Sequence, residues 1–143
     1  MKSARGMTLV ELMVVMLIVG ILSAIAVPSY RNYVLRVNRT DAKVGLTNAA
    51  QSLERCFTRY NSYTAGDAGS GCPVVFPIDV PRDASGGAIT YRITANRAAN
   101  TFTLTATPQN RQADDAACSA FVFDSQGNQT VSGTTPAKDC WTR

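Results

Sequence analysis

The stretch Gly6-Met7-Thr8-Leu9-Val10-Glu11, together with the apolar run that follows it to Val27, decides the fold of this chain. The span from residue 7 to residue 27 is about 21 residues, or about 32 Å as a helix, which matches a bilayer core of roughly 30 Å. Its single charge is Glu11. A carboxylate in lipid costs about 2.5–3.5 kcal/mol at the bilayer centre, so we expect Glu11 to have a partner of opposite charge.

Length and composition indicate one exported domain behind this apolar segment. The 143 residues include no histidine, which is the commonest general base and metal ligand, so we expect no enzyme activity, no metal and no cofactor. The net charge of +4 is too weak to indicate a nucleic-acid-binding protein. The four cysteines are widely spaced with no C-x-x-C pair, which favours two disulfide bonds and a place outside the cytoplasm.

The residues alone leave the role of the amino terminus open. A cleavable secretory signal would use Lys2 and Arg5 as its basic region and the small residues of 24–26 as its cut, but Glu11 and the length of the run argue against it. An uncleaved membrane anchor fits the length equally well. Basic residues lie on both sides of the span, so charge does not set its orientation.

A third interpretation comes from a known family. The glycine, the glutamate five residues beyond it, the apolar helix after it and Pro28 at its end resemble the class III signal of type IV prepilins. In that family a membrane-embedded prepilin peptidase cuts after the glycine and methylates the new amino terminus. The resemblance implies cleavage between Gly6 and Met7, N-methylation of Met7, and roles in assembly for Glu11, Thr8 and Pro28.

The resemblance also implies what Glu11 pairs with. In a filament of this family, the carboxylate of one subunit meets the new amine of the next subunit and sets the axial register. Each charge alone is expensive in an apolar environment, and a pair offsets much of that cost. The alternative is a single charge tolerated near the membrane interface.

Beyond the apolar run, the spacing predicts that the helix continues. Apolar positions recur at intervals of three or four from Ala42 to Phe57, so one face should be buried, and Pro28 and Gly45 are plausible bends. The predicted organisation is a leader at 1–6, a transmembrane and filament-core helix at 7–28, an amphipathic second half of the helix at 29–60, and a globular β domain at 61–143.

The globular domain is predicted to contain an antiparallel sheet. Residues 61–88 are rich in glycine and proline and are expected to form an irregular connection. Alternating residues then predict four strands, at about 89–95, 102–106, 120–123 and 129–132. The predicted fold is α+β, with the apolar half of the helix protruding and the amphipathic half packed on a four-stranded antiparallel sheet, which is the pilin fold by resemblance.

The disulfide pairing is open by sequence, because four cysteines permit three connectivities. Pairing Cys56 with Cys72 is favoured since it closes a short local loop. Pilins commonly carry a carboxy-terminal disulfide around a variable surface loop, so the resemblance implies a bond between Cys118 and Cys140 around residues 119–139. Over the whole chain, the sequence most resembles the PilE-type minor pilins.

The resemblance implies a structural protein, a type IV pilus subunit and more specifically a minor one, that supports adhesion, twitching motility or DNA uptake. Its implied partners are other pilin subunits in a helical filament, prepilin peptidase, the pilus assembly machinery and, before assembly, the inner membrane. It would cross that membrane once and later lie in the extracellular pilus. The alternatives are a DNA-capturing minor pilin and a pseudopilin of type II secretion.

Two charged features bear on those alternatives. The candidate DNA contacts are five basic residues, Arg92, Arg97, Arg111, Lys138 and Arg143. They are scattered and balanced by Asp114, Asp115, Asp124 and Asp139, so we expect ordinary solvated surface charge. Pseudopilins can bind calcium near the carboxy terminus, but we expect the Asp114-Asp115 pair to lie in a solvated turn.

Overall fold

The structure is a computed structural model that describes residues 8–64 and 74–142, and the chain divides into two compact units between Val34 and Leu35. One helix, α1 (Leu9–Tyr60), begins in the first unit and ends in the second. The predicted continuous helix is thus confirmed from Leu9 onward. It ends because Asn61 takes a left-handed conformation with φ of 52° and donates its N–H to the carbonyl of Phe57.

The described residues of the first unit include the apolar part of α1. Every residue from Thr8 to Tyr33 is exposed, including all the large aliphatic side chains between them. Among the described residues, α1 is the one helix that is long and apolar enough to cross a membrane. A helix that is apolar all round requires lipid or other helices around it, since water would leave its whole surface unfavourably hydrated.

The second unit packs the remaining part of α1 on an antiparallel sheet of five strands in the order β1 to β5. The strands are β1 (Ile78–Val80), β2 (Tyr91–Arg97), β3 (Phe102–Pro108), β4 (Phe121–Asp124) and β5 (Gln129–Val131). Short 3-10 helices lie at Gly86–Ala88 and Asn110–Asp114, and a short helix, α2 (Ala137–Thr142), follows β5. The predicted α+β fold is confirmed.

The core lies between one face of α1 and one face of the sheet. The helix buries five of the six positions that the spacing predicted, Ala42, Leu46, Ala49, Ala50 and Leu53. The sixth, Phe57, is half-buried, and the neighbouring Cys56 is buried in its place. The sheet buries alternate residues of its central strands, of which Tyr91, Ile93, Leu104, Ala106 and Phe121 are fully enclosed. The apolar residues that recur about every 3.6 positions along the helix and every second position along the strands therefore form a single apolar layer.

The predicted strand count of four was one too low. The missed strand, β1, lies inside the segment assigned to an irregular connection, and it pairs with β2 through Ile78 and Ile93. It is three residues long, has Asp79 at its centre and is enclosed by Pro77 and Pro81. The prolines and the central charge remove the alternation of apolar and polar residues that indicates a strand in a sequence. Both are nevertheless compatible with an edge strand.

Candidate functional site

The start of α1 holds the described part of the predicted assembly site. Glu11 lies in the first turn, and its backbone N–H donates to the side-chain Oγ1 of Thr8 at 3.3 Å. Thr8 thus caps a helix whose first N–H groups otherwise have no intrahelical acceptor. The carboxylate of Glu11 is exposed at the positive end of the helix dipole, where a negative charge is favourable.

The cleavage site and Pro28 are the two other predicted features of this segment. Gly6 and Met7, at the predicted cleavage site, lie outside the described residues, so cleavage and methylation stay predictions. Pro28 lies inside α1, which remains helical on both sides of it. Proline has no N–H, so one backbone hydrogen bond is missing from the helix at this position.

The disulfide between Cys118 and Cys140 is confirmed, with an S–S distance of 2.04 Å. It encloses β4, β5 and the start of α2, so residues 119–139 form a closed loop at the edge of the sheet. The other predicted pair includes Cys72, which lies outside the described residues, and that pairing stays a prediction.

The helix α2 was not predicted, and it closes the disulfide loop against the core. Trp141 packs edge to face on Phe121 with ring centroids 5.4 Å apart, and its Nε1 donates to the carbonyl of Thr130 at 3.2 Å. From α1, the Nζ of Lys43 donates to the carbonyls of Cys140 and Trp141 at 3.4 and 3.2 Å. Burial and the nearby charge of Arg39 lower the pKa of Lys43.

Two of the described candidate DNA contacts, Arg92 and Arg97, have partners within the second unit. Arg92 is paired with Asp79 through two hydrogen bonds of 2.7 and 3.1 Å, and that pairing lowers the pKa of Asp79. Arg97 lies over the ring of Phe76, with its guanidinium carbon 5.5 Å from the centroid. Both arginines are partly exposed and each has a partner within the second unit.

The remaining candidates are spread over the second unit. Arg111 is exposed just after the end of β3, whereas Arg97 pairs with the first residue of that strand. A strand of seven residues separates them by about 20 Å. Lys138 lies on α2, and Arg143 lies outside the described residues.

The prediction of a solvated turn at Asp114-Asp115 is wrong for one of the two residues. Asp114 is exposed, but Asp115 is buried and accepts two hydrogen bonds from Arg39. An acidic residue 76 positions away from its basic partner leaves no local signal in a sequence. Within residues 8–64 and 74–142 there is no group of three or more acidic, cysteine or histidine residues placed to hold a metal ion.

These features define a class of protein. An apolar helical stem continues into an amphipathic half packed on an antiparallel sheet, and a carboxy-terminal disulfide closes the last strands. This arrangement, with the signal at residues 6–11, is that of a type IV pilin.

The sequence matches known families over nearly its whole length. Residues 28–122 match the family described as "Type IV minor pilin ComP, DNA uptake sequence receptor", and residues 1–27 match the prokaryotic N-terminal methylation motif. The first match covers more than half of the chain, so the protein belongs to this family of type IV minor pilins. The signal motif, the apolar helix and the family together indicate a protein held in the inner membrane and later found in the extracellular pilus.

Individual relatives agree with this assignment. The chain is 39% identical over 70 residues to "Prepilin peptidase-dependent protein D" of Escherichia coli (strain K12), an alignment that covers 49% of this chain and 48% of that protein. It is 48% identical over 59 residues to "Type IV major fimbrial protein FimA" of Dichelobacter nodosus, covering 39% and 36%. It is 52% identical over 42 residues to "Fimbrial protein" of Pseudomonas aeruginosa, covering 29% and 27%. The chain spans less than half the length of each of these structural pilins.

Proposed function

We propose that this chain is a minor subunit of a type IV pilus, assembled with other pilin subunits into a helical filament and without catalytic activity of its own. The observation that carries the proposal is the exposed apolar surface from Leu9 to Val27 on a chain whose second unit has a well-packed core. Such a surface needs two successive environments, lipid before assembly and a bundle of helices afterwards.

Proposed cleavage of the amino terminus would make the association of this surface with neighbouring subunits specific. Prepilin peptidase would cut between Gly6 and Met7, and the amine it releases would be N-methylated. Glu11 is four residues from that amine and exposed, so the carboxylate is available to the amine of a neighbouring subunit. The pair would be stabilising in the apolar interior of a filament, where an unpaired charge is costly. The pilus assembly machinery would then move the subunit from membrane to filament.

The location of the protein after shearing tests this proposal. In cells that make pili, the chain should be found with the major subunit in the sheared filament fraction as well as in the inner membrane. Replacing Glu11 with Gln removes the charge and keeps the size, so that variant should remain in the membrane. Replacing the exposed Asp41 with Asn is a matched control and should leave the sheared amount unchanged. A chain absent from sheared pili in wild-type cells would contradict the proposal.

A second function, capture of DNA by the pilus, is favoured by one observation. The matched family is described as a DNA uptake sequence receptor, and the match covers residues 28–122. The exposed cations Arg111 and Lys138 are the sequence candidates best suited to phosphate contacts, because Arg92 is already neutralised by Asp79. Each phosphate neutralised by such a residue makes binding weaker as salt increases.

Salt-dependent binding tests this second function. A duplex should shift the full chain in detergent at low salt, and Arg111→Gln should reduce the slope of log affinity against log salt by about 1. The matched control Arg92→Gln removes a charge that is already paired, so its slope should be close to that of the wild type. Binding that is absent at low salt, or that does not change with salt, would exclude DNA capture.

A further inference from the structure

A cluster of polar side chains holds the first turns of α1 in the second unit. We call it the polar clamp, and it consists of Asn38 and Arg39 from α1, Gln112 and Asp115 from the segment before β4, and Tyr91 from β2. Gln112 and Asp115 are 1% and 3% exposed. They are the two buried polar or charged residues of the described chain, so their position requires an explanation.

The ion pair at the centre of the clamp is bidentate. The Nε and Nη2 of Arg39 each donate to one carboxylate oxygen of Asp115, both at 2.6 Å. The Oδ1 of Asp115 also accepts the backbone N–H of Cys118 at 3.3 Å. One carboxylate therefore fastens the helix to the residue that carries the disulfide bond.

Both the oxygen and the nitrogen of the Gln112 side-chain amide also contact α1. Its Oε1 accepts from Asn38 Nδ2 at 2.9 Å, and its Nε2 lies 3.4 Å from the carbonyl oxygen of Leu35. The same Nε2 is 3.0 Å from the hydroxyl of Tyr91 and 3.3 Å from Asp115 Oδ2. Three helix positions within two turns are thus bound to one short segment of the sheet domain.

Apolar packing does not hold this part of the helix. Residues 35–41 are half-buried or exposed, and the first buried apolar residue of α1 is Ala42. The turns from Leu35 to Asp41 therefore depend on the polar clamp for their attachment to the second unit.

We propose that the polar clamp sets the point along α1 at which the helix becomes a fixed part of the globular unit. Residues from Leu35 onward then stay helical and attached when the apolar half exchanges lipid for a filament, and tension along the helix passes into the sheet through Arg39 and Asp115. The purpose assigned to the clamp rests on the proposed filament function, but the attachment itself does not.

Hydrogen exchange on the full chain in detergent micelles tests the attachment. Asp115→Asn removes the charge and one acceptor, so the amides of residues 36–41 should exchange about 10- to 100-fold faster, the range expected when a buried hydrogen-bonded group loses its partner. The amides of residues 46–56, held by the apolar core, should keep their protection. Asp79→Asn is the matched control, since it breaks the exposed bidentate pair with Arg92 and should leave residues 36–41 unchanged.

Two results would overturn the proposal. One is unchanged exchange at residues 36–41 in Asp115→Asn. The other is equal acceleration of residues 36–41 and 46–56, which would mean loss of the whole unit instead of local release. If Asp115→Asn does not fold, Arg39→Lys keeps the charge and loses the bidentate geometry, and it should accelerate residues 36–41 alone. Failure of filament assembly in cells with normal exchange would count against the proposed function and leave the clamp intact.

Discussion

Gly45 illustrates how a single residue is fixed by packing instead of by helix preference. A Cβ atom at this position would lie 2.9 Å from Cδ1 of Ile93 and 3.1 Å from Cγ2 of Val80. The glycine allows the helix to approach β1 and β2 closely. The bend that the sequence suggested at this position stays a prediction. Glycine is otherwise disfavoured within helices, so the close approach accounts for it.

Gly45→Ala should therefore destabilise the second unit although alanine is the better helix former. Crowding in a packed core lowers the free energy of unfolding by about 1–3 kcal/mol, and the higher helix preference of alanine raises it by up to about 1 kcal/mol. We expect a net loss of about 1 kcal/mol in the free energy of unfolding, measured in guanidinium by the emission of Trp141. Gly20→Ala is the matched control, because nothing lies within 4 Å of its Cβ position. A more stable Gly45→Ala variant would show that the core has room for the methyl group.

Tyr91 makes the stability of the unit sensitive to alkaline pH. Its burial raises the pKa of the hydroxyl from 10.0 to about 12. The contribution of Tyr91 to the free energy of unfolding is fully present below pH 10. It is lost as pH rises toward the folded-state pKa, because the tyrosine ionises first in the unfolded chain. The loss should reach about 1 kcal/mol near pH 11.

Comparison with Tyr91→Phe isolates this effect. Unfolding free energies measured at about pH 9 and about pH 11 should fall by about 1 kcal/mol more in the wild type than in the variant. Other tyrosines contribute equally to both chains. Equal pH dependence would mean that the hydroxyl of Tyr91 ionises as readily in the folded protein as in the unfolded one.

At the scale of elements, the sequence predicted α1 and four strands because their signals are local. Apolar residues at every third or fourth position identified the buried face of the helix, and the alternation of apolar and polar residues identified the strands. β1 and α2 lack such signals, since β1 is three residues long with prolines on both sides and Asp79 at its centre, and α2 is six residues long. The polar clamp was missed for a different reason: Arg39 and Asp115 are 76 residues apart, and nothing near either residue indicates the other.

The disulfide of Cys118 should be the strongest attachment of α2. Closing a loop of this size in the unfolded chain is worth about 3–4 kcal/mol, so the paired variant Cys118→Ser with Cys140→Ser should lose about that much stability. Lys43→Gln removes the contact from α1 but keeps the bond, and it should lose less. The emission of Trp141, the single tryptophan of the chain, should also shift to the red in the paired variant as the ring leaves Phe121. An unshifted spectrum and a small loss would mean that packing alone holds α2.

At the scale of the whole molecule, the sequence predicted the fold class and an apolar segment long enough to cross a membrane, and the resemblance to type IV pilins implied the carboxy-terminal disulfide. The motif at residues 6–11 is a linear segment, so its identification in the sequence requires no tertiary structure. The set of cations available to a DNA phosphate could not be predicted from the sequence, since it depends on which cations remain unpaired after folding. Arg92 and Arg97 each have a partner within the unit, and neither partner is near in sequence.

The amino terminus of the mature chain tests the central claim most directly. We propose that Gly6 is the last residue removed and that Glu11 then acts in assembly through the new amine. Mass spectrometry of the chain isolated from sheared pili should give a first residue Met7 carrying one methyl group. A chain that begins near Val27 would indicate a secretory signal, and one that begins at Met1 would indicate an uncleaved anchor. Either of those results would contradict the account.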